Sequence, residues 1–510
     1  MSRSNVYRDP PPPTSDRHHR PTLRRASADP ARPLHLRAAR PGGVTSRVRR
    51  LLLLAVLVLP VLLAACAAPH PGVRANAARP GARADAVRPG GVHHSAHRAS
   101  ARRVSARAAA PPATAPGAQA ASVDTAAPTD PSGPCALPLT GARMSEGVTP
   151  WDDTYVRPLG TVRAAMVFVR FPDHRPTVTP ARLARQYLPG LTRFYADASY
   201  GRLRLDVRPQ VAYAEVPHSA ADYGVRRGAP YAATAAFVHD AVAAARSADP
   251  GLDLDGDQAL YLVADPDAPG VDHDATAATT LTDRDAIDTG GGTPIRQVAL
   301  VWEGDTPDPG VLDHETGHLF GLPDLYLDPA PAGASGDPDP TALVGDWDVM
   351  ADQSATAPEP LAWHKWKLGW LAPGQVDCVT GAGASRHTLT PTEVPGGTKL
   401  VVVRRSATEA YAVEARGRYG NDRAMCSPGV LLYHVRTDVD ALRGPVDVRD
   451  AHPATPGCAR SREPAMADAT LRPGDTYSTG DGASRIAVTV NGRDTDGSYQ
   501  VSVAVGQGGA

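Results

Sequence analysis

The arrangement of apolar and polar positions along the chain takes three forms: continuous apolar runs, helical spacing and strict alternation. Three continuous apolar runs predict buried strands: VRAAMVFVRF (162–171), LYLVAD (260–265) and VALVW (298–302). Residues 183–195 and 231–245 space their apolar positions as helices do, whereas RLRLDV (202–207) alternates as a strand does. Elements in this order predict a mixed α/β or α+β domain, assigned here to 135–376.

The pattern changes after about residue 377. Short apolar stretches are separated there by turn-forming residues: TKLVVVRR, EAYAVEAR, GVLLYHVR, RIAVTV and SYQVSVAV. Regular spacing of such strands predicts an all-β, sandwich-like domain over 377–510.

The N-terminal part has a different composition. The 510 residues include 51 prolines but only 5 phenylalanines, which indicates segments that cannot form a packed core. Residues 1–46 form a basic leader or an over-extended start, and 67–134 are expected to be a disordered tether or pro-segment. The formal net charge is −1. The arginines near the N-terminus have no folded context, so they predict no nucleic-acid partner.

Residues 47–66 read as a signal segment, a basic cluster followed by an apolar run. The run is shorter than the roughly 20 residues of a membrane-spanning helix. Its end, LAAC, resembles the lipobox of bacterial lipoproteins, which would make Cys66 a lipid-modified residue that tethers the protein to the membrane. The alternative is ordinary cleavage after Ala65 or Ala68, which would release a secreted protein. Val44 is an alternative start.

Four further cysteines are present: Cys135, Cys378, Cys426 and Cys458. In an exported protein this even count predicts two disulfides, with three possible pairings. The favoured set joins Cys426 to Cys458 and Cys135 to Cys378. A rival hypothesis makes Cys135 a free thiolate that blocks a metal in a latent form.

The densest chemical motif is HETGHLFGLPDLY, residues 314–326. His314 and His318 lie one turn apart on a helix, so both rings can face one metal ion. Gly321 can end that helix in a left-handed conformation, which lets Asp324 return as a third ligand. Three protein ligands and a water position are typical of catalytic zinc.

Glu315 follows the first histidine and is predicted to act as general base and acid on a zinc-activated water. Asp308 is the expected N-cap of the helix, with Pro309 at its first position. A bare H-E-x-x-H can occur by chance on a solvated helix face. The extended pattern H-E-x-G-H-x-x-G-x-x-D fixes more positions and is therefore more specific for a zinc site.

This motif resembles that of the immune inhibitor A family of secreted bacterial zinc metallopeptidases, in the metzincin-like clan. Five other segments resemble the family as well: AAMVFVRFPD, FYADASYGRLRLDV, VGDWDVMADQSATAPEPLAWHKWKLGWL and the strands EAYAVEAR and GVLLYHVRTD. The resemblance covers about residues 145–505. It implies a metzincin-like catalytic domain in which Met350 is the Met-turn, an apolar floor under the zinc ligands. The Arg- and Pro-rich leader departs from that family.

Two further stretches carry weaker signals, one for calcium binding and one for packing in the core. Asp253, Asp255 and Asp257 alternate in DLDGDQ as calcium ligands often do, although the stretch is not an EF-hand loop and a polar turn is the alternative. WHKWKLGW (363–370) has helical spacing and is expected to pack in the core.

The sequence therefore predicts an exported zinc endopeptidase, tethered to the cell surface, that acts on protein or peptide substrates. Two alternatives stay open: an extracellular zinc hydrolase of non-peptide, cell-wall amides, and a weakly active adhesion or binding lipoprotein on the same fold.

Overall fold

The computed structural model describes residues 131–304, 308, 310–328 and 339–506. The predicted leader, the signal segment with Cys66 and the tether up to residue 130 lie outside the described residues. No helix in the described part of the chain is long and apolar enough to cross a membrane.

The fold is mixed α/β, as predicted, with five α-helices and fourteen strands in the described residues. The helices are α1 (Pro180–Ala198), α2 (Ala220–Tyr223), α3 (Tyr231–Ala248), α4 (Val311–Leu319) and α5 (Ala362–Lys367). The first five strands are β1 (Gly160–Arg170), β2 (Leu203–Glu215), β3 (Ala259–Ala264), β4 (Ala277–Thr280) and β5 (Gln297–Val301). The others are β6 (Val376–Val379), β7 (Gly383–Leu389), β8 (Leu400–Arg404), β9 (Glu409–Arg416), β10 (Gly429–Arg436), β11 (Val446–Val448), β12 (Thr476–Thr479), β13 (Ile486–Arg493) and β14 (Tyr499–Val505).

The first sheet has the order β2-β1-β3-β5-β4. Strands β2, β1, β3 and β5 are parallel, and β4 is an antiparallel edge strand. Every residue of β3 is buried, because helices cover both faces of the sheet: α1 and α4 contribute to the core on one face and α3 to the core on the other. The continuous apolar runs in β1, β3 and β5 are the expected consequence of burial on both faces.

Two further sheets follow, with orders β11-β10-β9-β8-β6 and β12-β13-β14-β7. Alternate residues of β8 enter different cores, as the pleat requires. Leu400 and Val402 join the core of α1 and α4, whereas Val401 and Val403 join a core shared with β13 and β14. The first core therefore continues across the predicted boundary at residue 376, and the two-domain division stays a prediction.

The described residues include two disulfide-distance cysteine pairs, of which the first joins the N-terminal part to β6. Cys135 lies against Cys378 and Cys426 against Cys458, with Cα–Cα separations of 5.7 and 6.1 Å. This is the favoured pairing. It is incompatible with Cys135 acting as a free thiolate on a metal, because its sulfur is bonded to Cys378.

Candidate metal centre

Helix α4 carries both histidines of the motif, and the chain reverses directly after it. Gly321 has a φ of 83°, so the predicted left-handed end of the helix is confirmed. A Cβ there would lie 2.8 Å from the Tyr155 ring. The backbone N–H of Leu322 donates to the carbonyl of Gly317 at 3.0 Å. This turn brings Asp324 back toward the helix.

The start of α4 differs from the prediction. The helix begins at Val311, with Gly310 in the cap position, so the assignment of Asp308 as N-cap is wrong, and Pro309 lies outside the described residues. The Asp308 carboxylate instead accepts a hydrogen bond from the Gly310 N–H at 2.9 Å. A Cβ on Gly310 would lie 2.1 Å from the carbonyl oxygen of Gln353. This close contact leaves no room for a side chain at position 310.

His314, His318 and Asp324 converge on one point. The two Nε2 atoms are 3.1 Å apart, and each lies 3.1 Å from Oδ1 of Asp324. The three side chains are at most 2% exposed. The structure thus brings together the three ligands that the sequence predicted, from a helix and from the turn that follows it.

Backbone carbonyls fix the orientation of both imidazole rings. Nδ1 of His314 lies 2.8 Å from the carbonyl oxygen of Val349, and Nδ1 of His318 lies 2.8 Å from that of Leu322. A carbonyl only accepts hydrogen bonds, so each Nδ1 carries the proton and donates it. When an imidazole is neutral, its Nε2 therefore holds the lone pair, which faces the other histidine and Asp324.

This donor set fits a metal ion. Three electron-pair donors face one another, and they attract one another only if a cation or a proton lies between them. Zinc bonds of about 2.0–2.2 Å at tetrahedral angles place neighbouring ligand atoms roughly 3.3 Å apart, close to the observed triangle. The described residues therefore include a possible metal-binding group, and its donors, two imidazoles and a carboxylate, match zinc.

Electrostatics point the same way. Burial lowers the pKa of His314, but its hydrogen bond with Asp324 and the charges of Glu315 and Asp324 outweigh burial and raise the pKa to about 9. Burial raises the pKa of Asp324, but His318 and His314 outweigh it, so the pKa falls well below its usual range. The surroundings of Asp324 therefore favour its charged form.

Glu315 is fully buried and directly follows the first histidine. Its charge contributes to the raised pKa of His314. It also contributes, after burial and Asp324, to the raised pKa of Tyr326. Its carboxylate thus acts on the same small volume that the three ligand atoms enclose.

Met350 packs directly beneath the motif helix. A Cβ on Gly317, between the two histidines, would lie 2.4 Å from the Met350 sulfur. The Met350 carbonyl accepts a hydrogen bond from Leu325, next to Asp324, at 3.0 Å. Met350 is completely buried and contacts both segments that carry the ligands.

A buried ionic network that the sequence did not reveal holds this methionine turn. Asp348 accepts hydrogen bonds from the backbone N–H groups of Met350 at 2.7 Å and Leu361 at 2.8 Å. Nδ1 of His364 contacts Asp348 at 2.7 Å, and its Nε2 contacts Glu146 at 3.0 Å. Glu146 lies over 200 residues away in sequence, and only the fold brings it to this histidine.

Tyr326 is a second residue that sequence analysis left out. Its ring stacks on His314, with centroids 6.1 Å apart and planes 25° apart. It is 5% exposed and forms a side-chain hydrogen bond with Asp324. Its position within the motif, two residues after Asp324, was the available signal.

A cavity of about 180 Å³ lies next to Gly321 and Phe320. Residues 139–155 supply most of its wall, and the buried Lys367 completes it. None of the three ligand residues lines it, so it is separate from the metal centre.

The aspartates considered for calcium do not assemble into a similar group. Asp257 is fully buried as a side chain and forms an ion pair with Arg208 at 2.5 Å. Oδ1 of Asp253 accepts a hydrogen bond from the Asp255 backbone at 2.9 Å. Among the described residues, the groups able to hold a metal do not include these three, and the stretch behaves as a polar turn. WHKWKLGW is a core element as predicted, with Trp363, Trp366 and Trp370 buried.

Comparison with known proteins adds no family name. A scan against protein-family models finds no match, and a search of curated proteins finds no similar sequence. The functional argument therefore rests on the geometry of the metal centre and on the motif itself.

Proposed function

We propose that the protein is an exported zinc-dependent endopeptidase, similar to the immune inhibitor A family. One observation carries the proposal: two imidazoles and a carboxylate form a triangle with 3.1 Å sides, and Glu315 is adjacent to it on the same helix. A purely structural zinc site generally has four protein ligands. Here the motif supplies three ligands and a neighbouring carboxylate, the composition of a hydrolytic site.

When bound, zinc would act as a Lewis acid and lower the pKa of a coordinated water toward ~7. The chain supplies the proton transfers. Glu315 takes a proton from the attacking water as its oxygen bonds to the peptide carbonyl carbon, and then delivers it to the amide nitrogen as the C–N bond breaks. Val349 and Leu322 keep both imidazoles in the tautomer that leaves Nε2 for the metal.

The sheet supports a peptide as the substrate. Strand β4 is an edge strand, and α4 packs beside β4 and β5. An extended peptide can hydrogen-bond to the edge of a sheet, so a substrate aligned along β4 would pass beside the metal ligands. The mixed sheet with α4 beneath it also supports a metzincin-like catalytic domain, and the two sheets with a shared core support a sandwich-like β domain.

The test is hydrolysis of casein and of a mixed peptide library by the full-length protein loaded with zinc. We expect cleavage that a chelator abolishes and added zinc restores. Glu315→Gln should bind zinc normally yet lose at least about 100-fold in rate. Glu215→Gln, a surface carboxylate that is 46% exposed, is the matched control and should retain the wild-type rate.

Full activity in Glu315→Gln or in chelator would exclude the mechanism. Cleavage of cell-wall amides without cleavage of peptides would favour the first alternative. Stoichiometric zinc without any hydrolysis would favour the binding lipoprotein.

We further propose that Cys66 carries a lipid that tethers the protein to the membrane. Support comes only from LAAC at the end of the apolar segment. Replacement of Cys66 by serine should release the protein from the membrane fraction into the medium. Wild-type protein already soluble in the medium would instead indicate cleavage after Ala65 or Ala68.

A further inference from the structure

A second cluster of ligand-type side chains lies at the carboxyl edge of the first sheet. Strands β1 and β3 are parallel neighbours, so the segments that follow them meet at the same edge. His174 lies in the segment after β1, and Asp265 directly follows β3. The Asp265 backbone N–H donates to the carbonyl of Val169 in β1 at 2.8 Å, which fixes the carboxylate next to the β1 segment.

The side chains of His174, Asp265 and Asp267 face one another. One ligand atom from each lies within 4.8 Å of the others. Nε2 of His174 is 3.7 Å from Oδ2 of Asp265, which is too long for a hydrogen bond. The other Asp265 oxygen accepts from the Asp267 N–H at 3.3 Å, and the Thr177 hydroxyl donates to Asp267.

Asp265 is the decisive member of this cluster. Its side chain is 0% exposed, and within the described residues its Oδ2 and the Nε2 of His174 are buried without a hydrogen-bond partner. A buried carboxylate oxygen with no partner is costly, and a second carboxylate nearby adds repulsion. A divalent cation between the three groups would satisfy both atoms and neutralise both carboxylates.

We propose that His174, Asp265 and Asp267 bind a second divalent ion, of the first-row transition series. Imidazole with carboxylates suits such ions, whereas calcium and magnesium prefer oxygen ligands alone. Nε2 of His174 and Oδ2 of Asp265 are 3.7 Å apart, against 3.1 Å in the first centre, so the second ion would complete its shell with water. His174 is 25% exposed, so water reaches this side.

The role of this ion is structural. It joins the segment after β1 to the segment after β3, and it carries no step of the hydrolysis proposed above. The inference therefore stands independently of the proposed function.

The test measures bound zinc, and separately bound manganese, on full-length protein that has been stripped with chelator, reloaded and desalted. Wild-type protein should retain two equivalents of zinc per chain. His174→Ala and Asp265→Asn should each retain one, and so should His318→Ala. The matched control Asp173→Asn, an exposed carboxylate next to His174, should retain two.

Folding is checked by far-UV circular dichroism, and His174→Ala, at a partly exposed side chain, serves if Asp265→Asn does not fold. In the His318→Ala background, added ion should raise the melting temperature, and adding His174→Ala should abolish that rise. The inference is overturned if His174→Ala and wild type retain equal amounts of both metals. Wild-type protein that retains two ions yet hydrolyses no peptide would instead contradict the proposed function alone.

Discussion

His364 is the residue whose replacement most sharply tests how the fold supports the metal centre. It lies between the carboxylates of Asp348 and Glu146, and all three side chains are 0% exposed. Burial lowers the pKa of His364, but the two carboxylates outweigh burial and raise it to about 10. The residue is therefore a buried imidazolium at neutral pH, and His364→Gln removes the charge while keeping a similar size.

The expected cost follows from this pairing. A rise of the pKa from about 6.5 to about 10 corresponds to roughly 5 kcal/mol, at about 1.4 kcal/mol per pH unit. Removal of one partner from a buried ion pair costs about 3–5 kcal/mol, which agrees. Lys367 lies 3.9 Å from the other oxygen of Glu146 and offsets part of the loss. We expect the free energy of unfolding to fall by about 3–5 kcal/mol in urea titrations.

The same change should weaken zinc binding. Asp348 holds the turn in which Val349 accepts the proton of His314, and loss of such supporting contacts typically costs about 10–100-fold in metal affinity. Zinc affinity is measured by competition with a chromophoric chelator. The control is His387→Gln, which breaks a histidine–aspartate pair whose aspartate is 39% exposed, and it should cost under about 1 kcal/mol and leave zinc affinity unchanged. Equal effects of the two variants would refute the reasoning.

Three further outcomes are expected. Gly317→Ala should lower the melting temperature, because the new Cβ would lie 2.4 Å from the Met350 sulfur. Such overpacking costs about 1–3 kcal/mol of stability. An unchanged melting temperature would contradict this contact. Serine replacements of both Cys135 and Cys378, 243 residues apart, should lower the urea midpoint by more than the equivalent pair of replacements in the 32-residue loop, by roughly 2 kcal/mol in a chain-entropy estimate. The pKa of His364 is higher in the folded state than in the unfolded state, so the stability that His364 contributes is fully present below about pH 6.5 and is lost as pH rises through about 10. Urea titrations between pH 7 and 10 should show the free energy of unfolding decline. In His364→Gln that decline should be smaller.

The elements predicted best are those with the strongest local pattern. The apolar runs became β1, β3 and β5, and the helical spacing at 231–245 became α3. Strand β7, GASRHTL, was missed because its six partly buried or exposed positions carry small and polar residues, and only its last residue, Leu389, is a buried apolar one. Its place in the sheet depends on pairing with β14, which no local pattern shows.

The candidate metal ligands were predictable because they lie within one short segment. Helical spacing fixes two of them, and a glycine turn returns the third. The supporting ions were not predictable in this way. Arg416, for example, is completely buried and contacts Glu414, Glu393 and Asp422, yet in the sequence it is one of several charged residues at the end of an alternating strand.

The central claim is that His314, His318 and Asp324 hold one zinc ion beside Glu315. The most direct test is anomalous diffraction at the zinc absorption edge from crystals of the zinc-loaded protein. The account predicts a strong peak bonded to Nε2 of both histidines and to Oδ1 of Asp324, at about 2.0–2.2 Å from each. Crystals of the folded, zinc-loaded protein with no peak at that position would contradict it.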